Sequence, residues 1–292
     1  RSFFAMRRRN IVTFVAVSVI GLSMIPFVAK AAGGQSFVQA PSMDIRDNLY
    51  GNIADGLSEA GEYNRLNDFK YVYEQYGVVP REYMDMVTHV DSDWEEPYLN
   101  GLEYAENLET LQGEFIEELQ ELSPIKDLVN LKSIWIEYGD NTNLKELKNL
   151  TSLETLRISS SGYSDRANDE GTDEKPDMLA LYDISELSNL SSLNEIKIYT
   201  QGLLQTVTMK KGTTSYEMYS PVIKSEQFGD KKIEYSEAYS NGENELFTEQ
   251  DSLLKWENIP SDAEHLSFSW NVSNGKSFAF NGEVLIPINW ID

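Results

Sequence analysis

The chain has 292 residues, of which 48 are acidic and 24 basic, for a formal net charge of −24. A polyanion of that size repels phosphate backbones, which argues against nucleic acid as a partner. Cysteine is absent, so disulfide frameworks, thiolate zinc sites and cysteine nucleophiles are excluded together, while 41% hydrophobic residues suffice for a core.

The chain opens with a basic stretch, Met6-Arg7-Arg8-Arg9-Asn10, preceded by Arg1 to Ala5. An uncharged run from Ile11 to Val28 follows, then Val28-Ala29-Lys30-Ala31-Ala32. A positive start, an apolar middle and a small-x-small site read as a signal peptide over residues 1–31, cut after Ala31. The rival reading is an uncleaved membrane anchor, because the run is close to the shortest that spans a bilayer. Gly21, Pro26 and the Ala-Lys-Ala tripeptide favour cleavage. Membrane contact is therefore expected only through an uncleaved signal. An exported chain without cysteine suits a Gram-positive bacterial envelope, secreted or associated with the cell surface.

Residues 32–98 read as an N-terminal extension and helical cap. Leu49, Ile53 and Leu57, then Leu66, Phe69, Val72, Tyr73 and Tyr76, recur mostly at threes and fours. One or two helices result, broken around Gly61 and ended by Gly77 before Pro80. Pro80 to Val87 forms a further helical turn, and Val87 to Val90 a short strand. So few residues cannot bury a core of their own, which makes them a cover for the segment after them.

Residues 99–202 carry a 22-residue rhythm. Leu122-Ile125-Leu128-Leu131-Ile134-Ile136 and Leu144-Leu147-Leu150-Leu153-Leu156-Ile158 coincide at every position after a shift of 22. Ile184-Leu187-Leu190-Leu193-Ile196-Ile198 keeps the same spacing, and Leu99-Leu102-Ala105-Leu108-Leu111-Gly113 is an imperfect first copy. Successive threes drift off an α-helical face but hold one side of a 3₁₀ turn, and the final spacing of two marks a strand. The pattern is that of a leucine-rich repeat. It implies a right-handed α/β solenoid of about four coils, whose members are stable only when stacked. An insertion at 159–183 holds Asp165, Asp169, Glu170, Asp173, Glu174 and Asp177. Such oxygens can ligate calcium, but the spacing matches no EF-hand, and a solvated loop is the expectation. No metal and no cofactor are expected.

Residues 203–292 change to strand and turn. Leu266, Phe268, Trp270 and Val272 alternate with polar residues, Asn274-Gly275 marks a turn, and Phe278 to Ile286 alternate again until Pro287. Val207–Met209, Pro221–Ile223, Lys232–Tyr235 and Leu253–Trp256 are further expected strands. The size suits an all-β Ig-like sandwich, with aromatics in place of a cysteine pair.

Three features resemble the internalins, leucine-rich-repeat proteins secreted by or attached to Gram-positive bacteria. One is the repeat itself, with Asn107-Leu108, Asn130-Leu131, Asn149-Leu150 and Asn189-Leu190. The second is the entry phrase from Asn100 to Leu108. The third is the stretch from Trp256 to Pro287, with Trp256-Glu257-Asn258-Ile259-Pro260, Phe268-Ser269-Trp270 and Phe278-Ala279-Phe280-Asn281-Gly282. The resemblance implies a helical cap, a curved repeat domain and an Ig-like domain in one rod that binds another protein, often a host receptor. The chain departs from it where an Asn usually follows each strand: Ile116, Gly139, Ser161 and Gln201 stand there. Irregular coils are expected in consequence.

Strand periodicity turns Ser133, Trp135 and Glu137, then Thr155, Arg157 and Ser159, then Glu195, Lys197 and Tyr199, to the concave side, preceded by Thr110 and Gln112. Trp135, Arg157, Lys197 and Tyr199 are expected to form one column for a protein partner, such as a receptor on a host or neighbouring cell. The two histidines, His89 and His265, stand near no Gly-x-Ser-x-Gly elbow or phosphate-cradling loop. An enzyme is not expected. The alternative to an adhesin is an envelope spacer or a glycan-binding module with no specific receptor.

Overall fold

The computed structural model describes residues 37–38, 40, 42–94, 98–115, 119, 121–137, 144–160, 179–236, 247–250 and 252–292. The expected signal peptide, the six acidic residues of the insertion, and Ile116, Gly139 and Ser161 lie outside them. Within them, the succession of threes is a succession of 3₁₀ turns. The N–H groups of Leu147, Leu150 and Leu153 donate to the carbonyls of Leu144, Leu147 and Leu150 at 2.9–3.0 Å. Leu122 to Leu131 and Ile184 to Leu193 repeat the pattern at 2.9–3.2 Å. Three residues per turn bring every third side chain back to one side, and Leu144, Leu147, Leu150, Leu153 and Leu156 are all fully buried.

Each coil then enters a strand: β3 (His89–Trp94), β4 (Thr110–Phe115), β5 (Ser133–Glu137), β6 (Thr155–Ser160) and β7 (Glu195–Leu203). They pair in parallel, His89 with Thr110, Thr110 with Ser133, Ser133 with Thr155 and Thr155 with Glu195. One carbonyl at each junction accepts two N–H groups from the next coil: Thr88, Glu109, Lys132 and Glu154 in turn, at 2.8–3.3 Å. The junction between Glu154 and the next described coil is built like the others, with the Asn194 and Glu195 N–H groups donating to one carbonyl. The recurring Asn contributes here too. Asn107 Nδ2 donates to the Asp85 carbonyl (2.9 Å) and Asn130 Nδ2 to the Glu106 carbonyl (2.8 Å), satisfying groups of the preceding coil. This is a leucine-rich-repeat-like fold. The described junctions at the strand starts are regular; the positions where an Asn usually follows the strand, Ile116, Gly139 and Ser161, lie outside the described residues.

Before the ladder, β1 (Phe37–Val38) pairs with β2 (Val79–Pro80), and α1 (Met43–Glu59) and α2 (Tyr63–Tyr76) lie between them in sequence. The Ser42 side chain accepts the Ile45 N–H and starts α1. Ile45, Leu49, Ile53 and Leu57 form its buried stripe. Gly61 (φ 72°) turns the chain, and Gly77 (φ 62°) ends α2 in the left-handed conformation. A 3₁₀ turn, Arg81–Met86, leads to β3. That strand runs to Trp94 instead of ending at Val90, because β4 offers it six partners. No described helix is long and apolar enough to cross a membrane.

After the ladder come β8 (Val207–Lys210), β9 (Ser215–Tyr219), β10 (Glu234–Ser236), β11 (Phe247–Gln250), β12 (Leu253–Glu257), β13 (His265–Ser273) and β14 (Phe278–Ile291). The first half of β14 pairs in parallel with β7, from Phe278 with Ile196 to Leu285 with Leu203. On its other side β14 carries β13, which carries β10, and its second half pairs with β8, so among the described residues nine strands form one sheet. β11, β12 and β9 form a separate three-stranded sheet. Trp256, Phe268, Trp270 and Phe280 are buried at ring separations of 5.5–6.4 Å, and Trp256 Nε1 donates to the Ser267 carbonyl.

Two of the expectations for these strands differ from the structure, and two strands have no counterpart among them. Pro287 does not end its strand. It falls between Leu285, the last partner of β7, and Ile288, the first partner of β8, so its missing N–H coincides with a change of neighbour. Pro221–Ile223 is no strand: only Ile223 makes a bridge, to Asp183. A 3₁₀ turn, Glu226–Phe228, comes next. Its N–H pattern continues the rungs, Phe228 to the Ser225 carbonyl and Lys231 to the Phe228 carbonyl, both at 3.2 Å. Gln227 Nε2 donates to the carbonyls of Leu187 and Leu190, tying this turn to the last repeat. Phe228 meets Phe278 at 5.8 Å, so a further coil is assembled from two distant segments, with β14 as its strand. Finally, β9 and β11 were not expected; Tyr216 and Met218 of β9 are only half-buried, which weakens the alternation in sequence.

Candidate functional site

The alternate residues of β5, β6 and β7, namely Ile134, Ile136, Leu156, Ile158, Ile196 and Ile198, are buried, which turns the intervening ones to the other face. Register places Ser133, Thr155 and Glu195 in one row, Trp135, Arg157 and Lys197 in the next, and Glu137, Ser159 and Tyr199 in a third. Thr110 and Gln112 extend the first two rows onto β4. Ala279 and Asn281 extend the second and third onto β14. The expected column of four is thus corrected: Tyr199 stands two residues further along β7 than Lys197 and belongs to another row. Trp135 is 44% and Tyr199 42% exposed.

The middle of this face is an ion-paired cluster. Arg157 Nε donates to Glu195 Oε1 at 2.6 Å, and Lys197 Nζ lies 3.5 Å from the same oxygen. The Arg157 guanidinium stands over the Trp135 ring, 5.5 Å from its centroid. The hydrogen bond from Arg157, above all, holds the Glu195 carboxyl below its ordinary range; partial burial opposes this and Lys197 adds to it. Sequence reasoning treats Glu195 only as a flank of the expected column. Its spacing of two from Lys197 signals a shared face, but its contact with Arg157 depends on a 40-residue register invisible without the ladder.

At the far edge of the ladder, α1 supplies a feature the sequence reading missed. Asn52 Oδ1 accepts the N–H groups of Thr88 and His89 (3.3 and 3.4 Å), and Asn48 Oδ1 accepts that of Asp91 (3.1 Å). Two amides one helical turn apart thereby close the edge of β3. Beside them a cavity of about 370 Å³ is lined by Asp44, Asp47, Asn48, Gly51, Asn52, Asp55 and His89. Asp47 accepts the Tyr73 hydroxyl at 2.8 Å, and burial, then that bond, raises the Tyr73 phenol pKa. His265 lies on β13, six strands from His89, so the two histidines do not meet. Among the described residues no three histidine or carboxylate side chains are grouped to hold a metal ion.

No protein-family model matches the chain, and no curated protein matches it. Among solved structures it is similar to an internalin (InlF) of Listeria monocytogenes, at 23% identity over 55% of this chain and 43% of that one, with a TM-score of 0.30. It is similar to internalin C2 of the same species at 19% identity, over 41% of this chain and 55% of that one, with a TM-score of 0.28. A third likeness is to the Clostridium perfringens ZmpB structure containing CBM51-2 in complex with GlcNAc and INT domains. There the identity is 15%, over 87% of this chain and 36% of that one, with a TM-score of 0.26. The chain spans about half the length of the two internalin structures.

Proposed function

We propose that this chain is a secreted or surface-exposed bacterial protein that binds another protein through the concave, strand-lined face of its repeats, and that it is not an enzyme. In this reading α1 and α2 cap the first coil, and the C-terminal strands are an Ig-like extension. One observation carries the reading: Trp135 and Tyr199, each more than 40% exposed, share a strand face with an arginine held by Glu195 and by the Trp135 ring itself. Exposed aromatics and arginine on a rigid surface are the usual anchors of protein interfaces.

The test is capture from host-cell or neighbouring-cell surface extracts by the full chain and by the Trp135→Ala/Tyr199→Ala variant. Thermal unfolding should be nearly unchanged, since both side chains lie outside the core, and capture should be abolished. Equal capture by the variant contradicts the placement. Capture that survives the variant but disappears when the extract is deglycosylated favours the glycan-binding module instead.

A further inference from the structure

Among the described residues most ion pairs are private. Lys132, Lys255, Arg65 and Lys211 each face a carboxylate of their own, Glu109, Glu257, Glu62 and Asp292, at 2.5–2.8 Å. Arg157 and Lys197 instead share Glu195, which leaves their cluster with a net positive charge on a chain of −24. Glu195 takes only the Nε donor of Arg157. The other guanidinium donors, on a side chain 38% exposed, and the ammonium of Lys197, 47% exposed, meet no second carboxylate among the described residues.

The arginine is also held ready. Its Nε is bonded to Glu195 and its Cζ stands 5.5 Å from the centre of the Trp135 ring, so little side-chain freedom remains to be lost on binding. A guanidinium presents paired N–H groups that match the two oxygens of a carboxylate, and a neighbouring ammonium adds a further donor. Ser159 and Tyr199, paired in register one row on, bring hydroxyl groups to the next row of the same face.

We infer that Arg157 and Lys197 together form a seat for a carboxylate, the side chain of an aspartate or glutamate on the protein partner. This rests on the reading of the strand face as the binding surface and adds the chemistry of its central contact. The partner's acidic residue stands within a basic surrounding surface. A uniformly acidic partner is repelled by a chain with twice as many acids as bases, over roughly a 10 Å screening length at about 0.1 M salt.

The experiment titrates the full chain with three probes at low salt: acetyl-Gly-Glu-Gly-amide, acetyl-Gly-Gln-Gly-amide and glucuronate. The readout is the nitrogen shift of the Arg157 side-chain Nε–Hε and of the β6 and β7 amides. The glutamate peptide should give saturable shifts at these positions and bind at least about tenfold more tightly than the glutamine peptide. Arg157→Gln should abolish the preference. Arg157→Lys should lose most of it, because an ammonium lacks the planar fork, while the melting temperature falls by no more than about 4 °C in either variant. Equal binding of the two peptides, or a glutamate preference that survives Arg157→Gln, overturns the inference; so does glucuronate binding more tightly than the glutamate peptide. If the Trp135→Ala/Tyr199→Ala variant loses capture while no carboxylate preference exists, only this inference fails and the binding surface stands.

Discussion

Asn52 acts as a substitute neighbour for an edge strand: one amide oxygen receives two backbone N–H groups that no further strand is there to accept. Truncation leaves those donors partly buried and unpaired. Asn52→Ala is therefore expected to lower stability by about 1–3 kcal/mol in urea unfolding. A change indistinguishable from zero means that water serves the edge equally well. Glu195 is the second residue whose role is electrostatic. Its folded pKa is depressed below the ordinary 4.5, so its contribution is complete above that value and disappears as pH falls through the lower, folded one. The pair is partly exposed, with side chains 38% and 23% accessible, and contributes on the order of 1 kcal/mol or less. Stability measured below pH 4.5 should fall less steeply in Glu195→Gln than in the wild type, and an identical slope removes the assignment. Neither residue advertised its role. Asn52 sits on an otherwise apolar stripe, where sequence alone reads it as a polar interruption.

Among the elements, the coils were the most legible. A spacing of three fixes a 3₁₀ backbone, since each rung donates to the one before it, and local chemistry of that kind is written in consecutive residues. Leu150, fully buried in the middle of the stack, tests it: Leu150→Ala should cost about 2–5 kcal/mol. β14 was legible only in half. Its alternation was plain, but its parallel union with β7 joins residues 82 apart, as the Gln201–Glu283 contact shows, and no local pattern encodes such a pairing. Gly282 is where this strand is tightest. A Cβ there would stand 2.3 Å from the Trp270 ring and 2.8 Å from Thr200 Cγ2. Gly282→Ala is expected to destabilise by about 3 kcal/mol. Gly51→Ala, in the middle of α1 with nothing within 4 Å, should instead stabilise by about 0.5–1 kcal/mol. The opposite order of the two melting temperatures contradicts the packing described.

For the molecule as a whole, the consequence of nine strands in one sheet is mechanical continuity from α1 to β10. The boundary between repeats and C-terminal strands, placed by sequence at residue 202, falls inside β7, which both sides share. The composition that marks the change is real, but hydrogen bonding ignores it. A continuous, hydrogen-bonded face suits recognition, because a partner does not have to assemble it first. The rows of Trp135, Arg157 and Tyr199 lie near its middle, between the amides of α1 and the asparagines of β13 and β14.

The most direct test of that face is amide hydrogen exchange of the full chain, alone and saturated with the captured partner. The account predicts added protection in Ser133–Glu137, Thr155–Ser160 and the first residues of Glu195–Leu203, with β9 and β12 unchanged. Protection confined to β9 and β12, with the repeat strands exchanging as in the free chain, contradicts it.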